Sequence, residues 1–392
     1  NVSNSLITKH LNVNINRLIY YDTLSKPFVK DIIKYIENNN LKSKKLEYLK
    51  WLVSCEQEFV EIQDVKIYDN TENKPVYDIE LEPCKFFIAG NKPMNIFDTI
   101  RKFSKEPWSP IQLIQKGTVN AEIYAYIWMA VEYENSLMVV GGTGSGKTSF
   151  INTVAFFIPP QARVVSIEDT RELQLEHENW LPSVARAGVG LTNLVGQRYG
   201  EVSLFDLLRA SFRQRPDYII VGEVRGKEAF VLFQAFASGH PGMATMHAEN
   251  VSTLIKRLET EPINLSPSLI ETLAAVIVMS QTRVKGKEVR KVSSIDEIVQ
   301  IKEGIGGEII NTVFKWDPKT DVFSFNSNSK VFENIAVHFG MTKEQVLNEF
   351  RLRANLLKEL YKRGILGFKE VQKVIQEYFK QPQIVLKRYN LK

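Results

Sequence analysis

A glycine-rich octapeptide, residues 141–148, constrains this chain more than any other part of its sequence. It reads GGTGSGKT and fits the pattern G-x-x-x-x-G-K-[S/T]. The apolar run Ser136–Val140 precedes it, and Ser149–Phe157, which has helical character, follows it. Glycines let successive backbone N–H groups point at phosphate oxygens, and the N-terminus of the following helix adds positive potential there. The octapeptide therefore predicts a strand, a phosphate-binding loop and a helix.

The residues of this loop have distinct expected contacts. Lys147 is expected to place its ammonium group on the β- and γ-phosphates of a nucleotide, and Thr148 to offer its hydroxyl to Mg²⁺. The guanine pattern N-K-x-D is absent from the sequence, because both of its Asn-Lys pairs are followed by proline. The sequence therefore favours ATP with Mg²⁺ over GTP. The loop residues predicted to bind the nucleotide are Gly141, Gly142, Thr143, Gly144, Ser145, Gly146, Lys147, Thr148 and Ser149.

Two apolar runs further along the chain end in carboxylates. Val164–Ile167 continues into Glu168 and Asp169, and Tyr218–Val221 continues into Glu223. Ligands of open α/β sheets bind at the carboxyl ends of strands, so these acids are expected near the γ-phosphate. A carboxylate there can polarise the attacking water or lie beside Mg²⁺. The alternative is that they are the polar ends of buried strands, forming turns.

The segment SGHPGMATMH, residues 238–247, places His240 and His247 seven residues apart. Three interpretations stay open. The pair could bind a metal, although no set of Cys or carboxylate ligands has the matching spacing. It could sense the γ-phosphate through neutral imidazole, or both rings could be structural.

Composition and charge narrow the class of protein. From residue 111 onward, short apolar runs alternate with helical segments, which predicts an α/β layer architecture. The net charge is +5, but residues 331–392 hold twelve Lys and Arg against six Asp and Glu, so the first 330 residues sum to about −1. The body of the chain therefore lacks the basic surface of a nucleic-acid-binding protein. Two cysteines exclude a disulfide framework and favour a reducing, cytoplasmic location. The longest apolar stretch, Leu273–Met279, is too short to span a membrane.

Taken in order, these segments resemble the secretion ATPase superfamily of type II secretion, type IV pili, archaella and type IV secretion. The resemblance covers roughly Thr99–Gln300, and the phrases FRQRPDYIIVGEVR and SGHPGMATMHAEN are very close to the family pattern. The wording KFSKEPWSPIQLIQKGT looks most like the archaeal branch. The motifs that carry the resemblance are a Walker A motif at Gly141–Thr148, an Asp box at Ile167–Leu173, a Walker B motif at Tyr218–Glu223 and a His box at Gly239–His247.

The resemblance implies a RecA-like P-loop motor domain of α/β class, with a divergent N-terminal α+β domain and a helical C-terminal region. It also implies a homo-hexamer with ATP and Mg²⁺ bound between the domains. The partner would be a polytopic membrane platform protein, at the inner face of the cell membrane. On this basis residues 1–103 are a regulatory domain, 104–112 a linker, 113–330 the ATPase domain and 331–392 a basic helical region. In the third region, Ala274–Met279 and Val292–Ile301 predict a hairpin, and in the fourth, helices are expected at Thr342–Leu360 and Gly367–Phe379.

Functional roles carry over residue by residue. Glu223 corresponds to the water-activating carboxylate, and Glu168 to an assisting carboxylate that positions water or metal. Arg101 matches an N-domain arginine that reaches the nucleotide, whereas the D-G-x-R segment that usually precedes it is missing. The implied catalytic residues are Glu223, Glu168, Lys147 and Arg225. The implied sensor and switch residues are His240, His247, Arg213, Arg215 and Asp169.

Other functions remain open at this stage. A RecA-like nucleic-acid translocase is the main alternative, and the near-neutral motor domain argues against it. A non-hydrolysing assembly scaffold is a second alternative, which an intact Lys147, Thr148 and Glu223 make less suitable. The basic tail could contact anionic lipid or an acidic loop of the platform protein, or it could be an ordinary solvated helix face.

Overall fold

The computed structural model describes residues 106–186, 200–284, 286–301 and 308–391, together with residues 34, 37 and 38 and four short strands near the N-terminus. The chain forms two compact units, Asn1–Phe103 and Ser104–Lys392. In the first unit, β1 (Ile67–Asp69) pairs antiparallel with β2 (Pro75–Tyr77), and β3 (Phe86–Ile88) pairs antiparallel with β4 (Phe97–Thr99). The expected α+β fold of this unit lies largely outside the described residues.

A nine-stranded mixed sheet organises the second unit. Six of its strands are parallel, in the order β10-β5-β9-β8-β6-β7, and β11, β12 and β13 continue it antiparallel beyond β10. The expected α/β fold of the RecA-like type is confirmed. The strands are β5 (Leu137–Gly141), β6 (Val164–Glu168), β7 (Trp180–Val184), β8 (Tyr218–Val224), β9 (Gly242–Met246), β10 (Ala275–Val284), β11 (Lys287–Ile301), β12 (Glu308–Asp317) and β13 (Val322–Phe325).

Helices cover both faces of this sheet. They are α1 (Pro110–Gln115), α2 (Ala121–Glu132), α3 (Lys147–Val154), α4 (Leu204–Ser211), α5 (Glu228–Ala237), α6 (Val251–Glu259), α7 (Pro267–Ile270), α8 (Lys330–Phe339), α9 (Lys343–Lys362), α10 (Phe368–Lys380) and α11 (Pro382–Arg388). Short 3₁₀ turns follow α3 at Ala155–Phe157 and α4 at Phe212–Gln214.

The central strands are apolar throughout because both of their faces are buried. In β5, Leu137 and Val139 join one hydrophobic core, whereas Met138 and Val140 join the other on the opposite face. This alternation follows from the two-residue period of a strand, whose successive side chains point to opposite faces. Continuous burial of this kind is typical of parallel strands covered by helices on both sides.

The C-terminal helices pack on the same core as the sheet. Arg353 of α9 is 3% exposed and its Nη2 lies 2.8 Å from Glu132 Oε2 of α2. Glu297 of β11 is fully buried and its carboxylate accepts hydrogen bonds from the Lys330 and Val331 amides at the start of α8. Residues 104–392 consequently form one unit, and α9 and α10 confirm the two helices expected in this region.

One boundary differs from its prediction. Helix α1 begins at Pro110, so the linker predicted at 104–112 is too long at its C-terminal end. Ser109 caps the helix by accepting from the Gln112 amide, while the Gln112 side chain accepts from the Ser109 amide. The sequence S-P-I-Q thus combines a capping box with proline at the first helical position, which is a helix start signal inside the predicted linker. In the parts of the chain that the structure describes, no helix combines the length and apolarity needed to cross a membrane.

Candidate active site

Four parallel strands deliver the predicted polar residues to one edge of the sheet, here called the carboxyl edge. Strand β5 ends at Gly141, β6 ends at Glu168, and Glu223 is the sixth residue of β8. Strand β9 lies between β5 and β8 and leads directly into His247. The intervening strand therefore separates the glycine-rich loop from Glu223 and puts a histidine in the space between them.

The loop has the close backbone approaches that glycine permits. A Cβ on Gly141 would lie 2.4 Å from the Met279 carbonyl oxygen, so no larger residue fits there. Gly146 has φ +92° and is the N-cap of α3, with no side chain bonded to the first amides of that helix. Those amides remain available to a phosphate, in the field of the helix N-terminus. The conformation of the loop is compatible with the phosphate site that the sequence predicts.

Lys147 lies folded back against its own loop. Its side chain is 7% exposed, and Nζ donates to the carbonyl oxygens of Gly141 and Gly142, each at 3.0 Å. Nζ is also 3.3 Å from His247 Nδ1. Burial lowers the pKa of the Lys147 ammonium, and the charge of Glu223 opposes part of that decrease. A nucleotide phosphate would supply the partner that the two loop carbonyls supply here.

His247 connects Lys147 with Glu223. An ammonium group can only donate, so Nδ1 accepts from Lys147 and the proton of the neutral ring is on Nε2, which lies 3.1 Å from Glu223 Oε1. Burial, followed by the positive charge of Lys147, lowers the pKa of His247, which favours this neutral form.

Glu223 keeps one oxygen available for another partner. Oε1 is buried, and none of the described residues donates a hydrogen bond to it. His247 Nε2 lies 3.1 Å away, but the geometry of that contact is not that of a hydrogen bond. Although burial pushes the pKa of Glu223 upward, the hydrogen bond and charge of Arg225, with His247 and Lys147, hold it below its ordinary value. An ionised carboxylate with a free acceptor position can orient and polarise a water molecule.

Arg225 links Glu223 to Asp169. Its Nη2 donates to Glu223 Oε2 at 2.6 Å, and its Nη1 lies 3.7 Å from Asp169 Oδ2. The Arg225 side chain is 65% exposed, so it can change partner without losing buried packing. We refer to Lys147, His247, Glu223, Arg225 and Asp169 as the edge network.

Glu168 is close to this network and differs from it in burial. It is 2% exposed, and Oε1 accepts from the amides of Glu172 and Leu173, each at 2.9 Å. Oε2 is buried without a hydrogen-bond partner among the described residues. Burial raises the pKa of this carboxyl despite the two backbone donors. A Cβ on Gly222 would lie 3.0 Å from Glu168 Cγ, so β6 and β8 approach closely beside Glu223.

Other predicted residues lie at the opposite end of the strands, here called the amino edge. His240 precedes β9, and Arg213 and Arg215 precede β8. The ring of His240 packs edge-on against Phe212 with centroids 5.7 Å apart. Because a strand advances about 3.3 Å per residue, the five residues of β9 hold His240 roughly 17 Å or more from His247. The structure thus separates the two histidines and keeps both arginines away from Glu223.

The remaining predicted residues divide into two groups. Thr148 and Ser149 occupy the first turn of α3 beside Lys147, and Thr143 is exposed on the loop. Arg101 lies outside the described residues. No cluster of three His, Cys, Asp or Glu side chains suited to a metal occurs in the described ranges. A Mg²⁺ ion would therefore depend on the Thr148 hydroxyl and phosphate oxygens, with the buried Glu168 Oε2 and Glu223 Oε1 nearby to accept from its water ligands.

Sequence reasoning missed three residues at this edge. Arg290 Nε donates to the Gly144 carbonyl oxygen at 2.8 Å, and a Cβ on Gly144 would lie 3.0 Å from Gln281 Oε1. Thr245 Oγ1 donates to the Gly222 carbonyl oxygen at 2.6 Å and fixes β9 to β8 just before Glu223. The predicted hairpin is confirmed as β10 and β11, but its apolar pattern gave no sign that its polar end reaches the loop.

Comparisons with known proteins agree with these motifs. The family model described as type II/IV secretion system protein matches residues 97–314. The chain is 42% identical over 269 residues to the uncharacterised protein MJ1287 of Methanocaldococcus jannaschii, which covers 69% of this chain and 97% of that protein. It is 33% identical over 181 residues to the type IV secretion system protein PtlH of Bordetella pertussis, which covers 43% of this chain and 52% of that protein.

A solved structure gives a weaker likeness. The VirB11 ATPase of the Brucella suis type IV secretion system, crystallised with sulphate, aligns with 22% identity and a TM-score of 0.37. The alignment covers 65% of this chain and 83% of that one.

Proposed function

Because the chain belongs to the type II/IV secretion system protein family, we propose that it is a Mg²⁺-dependent ATPase. Its turnover would drive the assembly or secretion of a type IV pilus-like filament, an archaeal pilus or archaellum, through a polytopic membrane platform protein. The observation that supports hydrolysis best is the continuous contact from Lys147 through His247 to Glu223 beside the glycine-rich loop. A site that only bound nucleotide would not need an ionised, partly unpartnered carboxylate at this position.

The chain's own residues suggest the order of events. Binding of ATP would draw the Lys147 ammonium from the Gly141 and Gly142 carbonyls to the phosphates. That movement takes the Lys147 ammonium away from His247 Nδ1, so the imidazole ring can rotate and change its hydrogen-bond partners. Glu223 Oε1 then accepts a proton of the attacking water and orients it in line with the γ-phosphate. Lys147 and Arg225 supply positive charge where negative charge develops.

Mg²⁺, when bound, would supply further neutralisation of charge on the phosphate oxygens. Thr148 would hold it from the first turn of α3. Glu168 is suited to a supporting role because one of its oxygens is fixed by two amides and the other has no partner among the described residues. Its tight burial and its two backbone donors suit it to orienting water, whereas the more accessible Glu223 is placed to accept a proton from it.

We propose a homo-hexameric ring in the cytoplasm, peripheral at the inner face of the cell membrane, and we propose Arg101 as a further nucleotide-binding residue. Arg213 and Arg215 are exposed at the amino edge and are proposed to face a neighbouring subunit rather than their own nucleotide. The near-neutral charge of residues 1–330 supports a protein partner over nucleic acid.

Contact between the basic C-terminal region and anionic lipid has less support. Six of its cations pair with carboxylates of the chain: Arg353 with Glu132 and Glu349, Lys358 with Glu122, Lys362 and Arg363 with Glu359, Lys369 with Glu176, and Arg388 with Glu377. Lys373, Lys380 and Lys387 are exposed and remain as candidates for lipid or platform contact. Co-sedimentation of a triple Lys→Gln variant with anionic vesicles tests this, and binding equal to wild type would leave these side chains as a solvated helix face.

The test of the proposed function is Mg²⁺·ATP turnover by the purified chain, measured with its mass by light scattering. We expect turnover by a hexamer, without stimulation by DNA. Strong stimulation by single- or double-stranded DNA would favour the nucleic-acid translocase instead. Nucleotide binding without turnover, in the presence of membranes carrying the platform protein, would favour the scaffold.

A further inference from the structure

The β10–β11 hairpin forms a wall beside the glycine-rich loop. Strand β10 pairs with β5 only as far as Met279 opposite Gly141, where the loop begins. The hairpin continues past that point, with pairing from Ser280 opposite Lys291 to Val284 opposite Lys287. Its polar end therefore projects beyond the sheet at the carboxyl edge, on the side of the loop away from Glu223.

The Arg290 side chain reaches from the hairpin to Gly144 in the glycine-rich loop. Its Nε donates to the Gly144 carbonyl oxygen at 2.8 Å, across 146 residues of sequence. A Cβ on Gly146 would lie 3.1 Å from Arg290 Cδ, so the aliphatic part of the side chain lies directly over that glycine. Gly146, which has φ +92°, leaves the space that the arginine occupies, and Gly144, which has φ +75°, supplies the carbonyl oxygen that accepts its hydrogen bond.

This bond fixes the direction of a peptide group that faces the phosphate site. In a planar trans peptide the carbonyl and the following N–H point in opposite directions. Arg290 holds the Gly144 carbonyl outward, so the Ser145 N–H points into the loop, where it donates to the Gly142 carbonyl oxygen at an N···O distance of 3.4 Å. A loop of this type binds phosphate through N–H groups directed inward.

We propose that Arg290 is a positioning residue for nucleotide binding, which acts by holding the Gly144–Ser145 peptide in its phosphate-binding orientation. The proposal rests on the proposed function, since it assumes that the loop binds a nucleotide. Arg290 touches the loop rather than the reacting atoms, so its loss should weaken binding and leave the chemical step nearly unchanged.

Two substitutions separate the hydrogen bond from the charge. The Nε2 atom of glutamine stands at the same number of bonds from the backbone as the Nε atom of arginine, so R290Q keeps a donor for Gly144 and loses the charge. R290M keeps a similar aliphatic length and loses the donor. R283M is the matched control, because Arg283 is on the same hairpin, 76% exposed and 3.6 Å from Glu288.

The measurement is the Kd for Mg²⁺·ADP by calorimetry, with kcat and KM for ATP alongside. A hydrogen bond from a charged donor contributes enough that we expect R290M to raise Kd and KM by about tenfold or more, with kcat within about twofold. R290Q should stay within about threefold of wild type, and R283M should match wild type.

Three results would contradict this account. Wild-type affinity in R290M would remove the role of Arg290, and equal weakening in R290Q and R290M would assign its effect to charge instead of peptide orientation. A loss confined to kcat would make Arg290 part of the chemical step. Absence of Mg²⁺·ADP binding by the wild type and by R283M would instead overturn the proposed function itself.

Discussion

The two edges of the central sheet use the same kinds of residue in different ways. At the carboxyl edge, the side chains of the edge network contact one another in series from Lys147 to Asp169. At the amino edge, two charged groups bond to the backbone instead: Lys330 Nζ donates to the Val299 carbonyl oxygen at 2.8 Å, and Glu271 Oε1 accepts from the Ile301 amide at 2.7 Å. Both of these residues line a cavity of about 270 Å³ at that edge.

The difference follows from how the strands end. Parallel strands bring several loops together at their carboxyl ends, and here each loop contributes a charged or polar group to a common space. At the amino edge, the backbone partners of Lys330 and Glu271 are Val299 and Ile301, near the end of β11, which runs antiparallel to β10. Coupling of the carboxyl-edge residues is therefore the property that the following variants should break.

Removal of Lys147 should have a large effect. Lys147→Ala deletes the cation at one end of the edge network and the group expected on the phosphates, so turnover should fall by roughly 10²–10³ or more, and filament assembly with it. Steady-state phosphate release measures this. Lys330→Ala, at the amino edge, is the control and should keep turnover within about twofold of wild type. Retained turnover in Lys147→Ala would contradict the proposed site.

The two histidines give a direct comparison of the edges. His247→Ala removes the link between Lys147 and Glu223, so kcat should fall by about tenfold, the effect of losing one modest hydrogen bond. His240→Ala removes a ring that packs on Phe212 and should change kcat by less than about twofold while lowering the melting temperature. Equal loss of kcat in both variants would show that the separation of the edges does not separate their functions.

A smaller effect concerns the pH dependence of stability. Burial raises the pKa of Glu168 in the folded chain, so the stability linked to its protonation is fully present below the unfolded-state pKa and is lost as pH rises through the folded pKa. The amide of a glutamine at this position would not ionise, so Glu168→Gln should gain stability relative to wild type as pH rises.

Urea-unfolding midpoints from acid to neutral pH measure this gain. The exposed Glu178→Gln serves as control and should show no such trend. If the difference in urea-unfolding midpoint between Glu168→Gln and wild type stays constant with pH, then burial does not desolvate the Glu168 carboxyl.

Much of the carboxyl edge was predictable, because its residues follow apolar runs directly. The octapeptide placed Lys147 at a helix start, and the strand patterns placed Glu168 and Glu223 at strand ends. The division of the two histidines between edges could have been read from the apolar segment between them, since Gly242–Met246 is a buried strand. The resemblance, which grouped them as one box, obscured that point.

Two contacts could not be predicted, since they depend on tertiary geometry. The bond from Arg290 to Gly144 requires knowledge that β10 pairs with β5 and that the hairpin overshoots it. The second contact is the hydrogen bond from Arg225 to Glu223, which helps to hold the pKa of Glu223 below its ordinary value. The spacing of residues along a strand does not determine where the Arg225 side chain lies. Local patterns specified which residues are polar at strand ends, and the sheet order specified which of them meet.

The most direct test of the central account separates nucleotide binding from hydrolysis at Glu223. Glu223→Gln keeps the shape of the side chain and removes the charge that orients water, so turnover should fall by roughly 10²–10⁴. Its Kd for Mg²⁺·ATP should stay within a few-fold of wild type, because Lys147 and the glycine-rich loop are intact. Glu134 is exposed and lies at the amino edge, so Glu134→Gln should leave both the turnover and the Kd unchanged. The contradicting result is a Glu223→Gln variant that hydrolyses ATP at the wild-type rate.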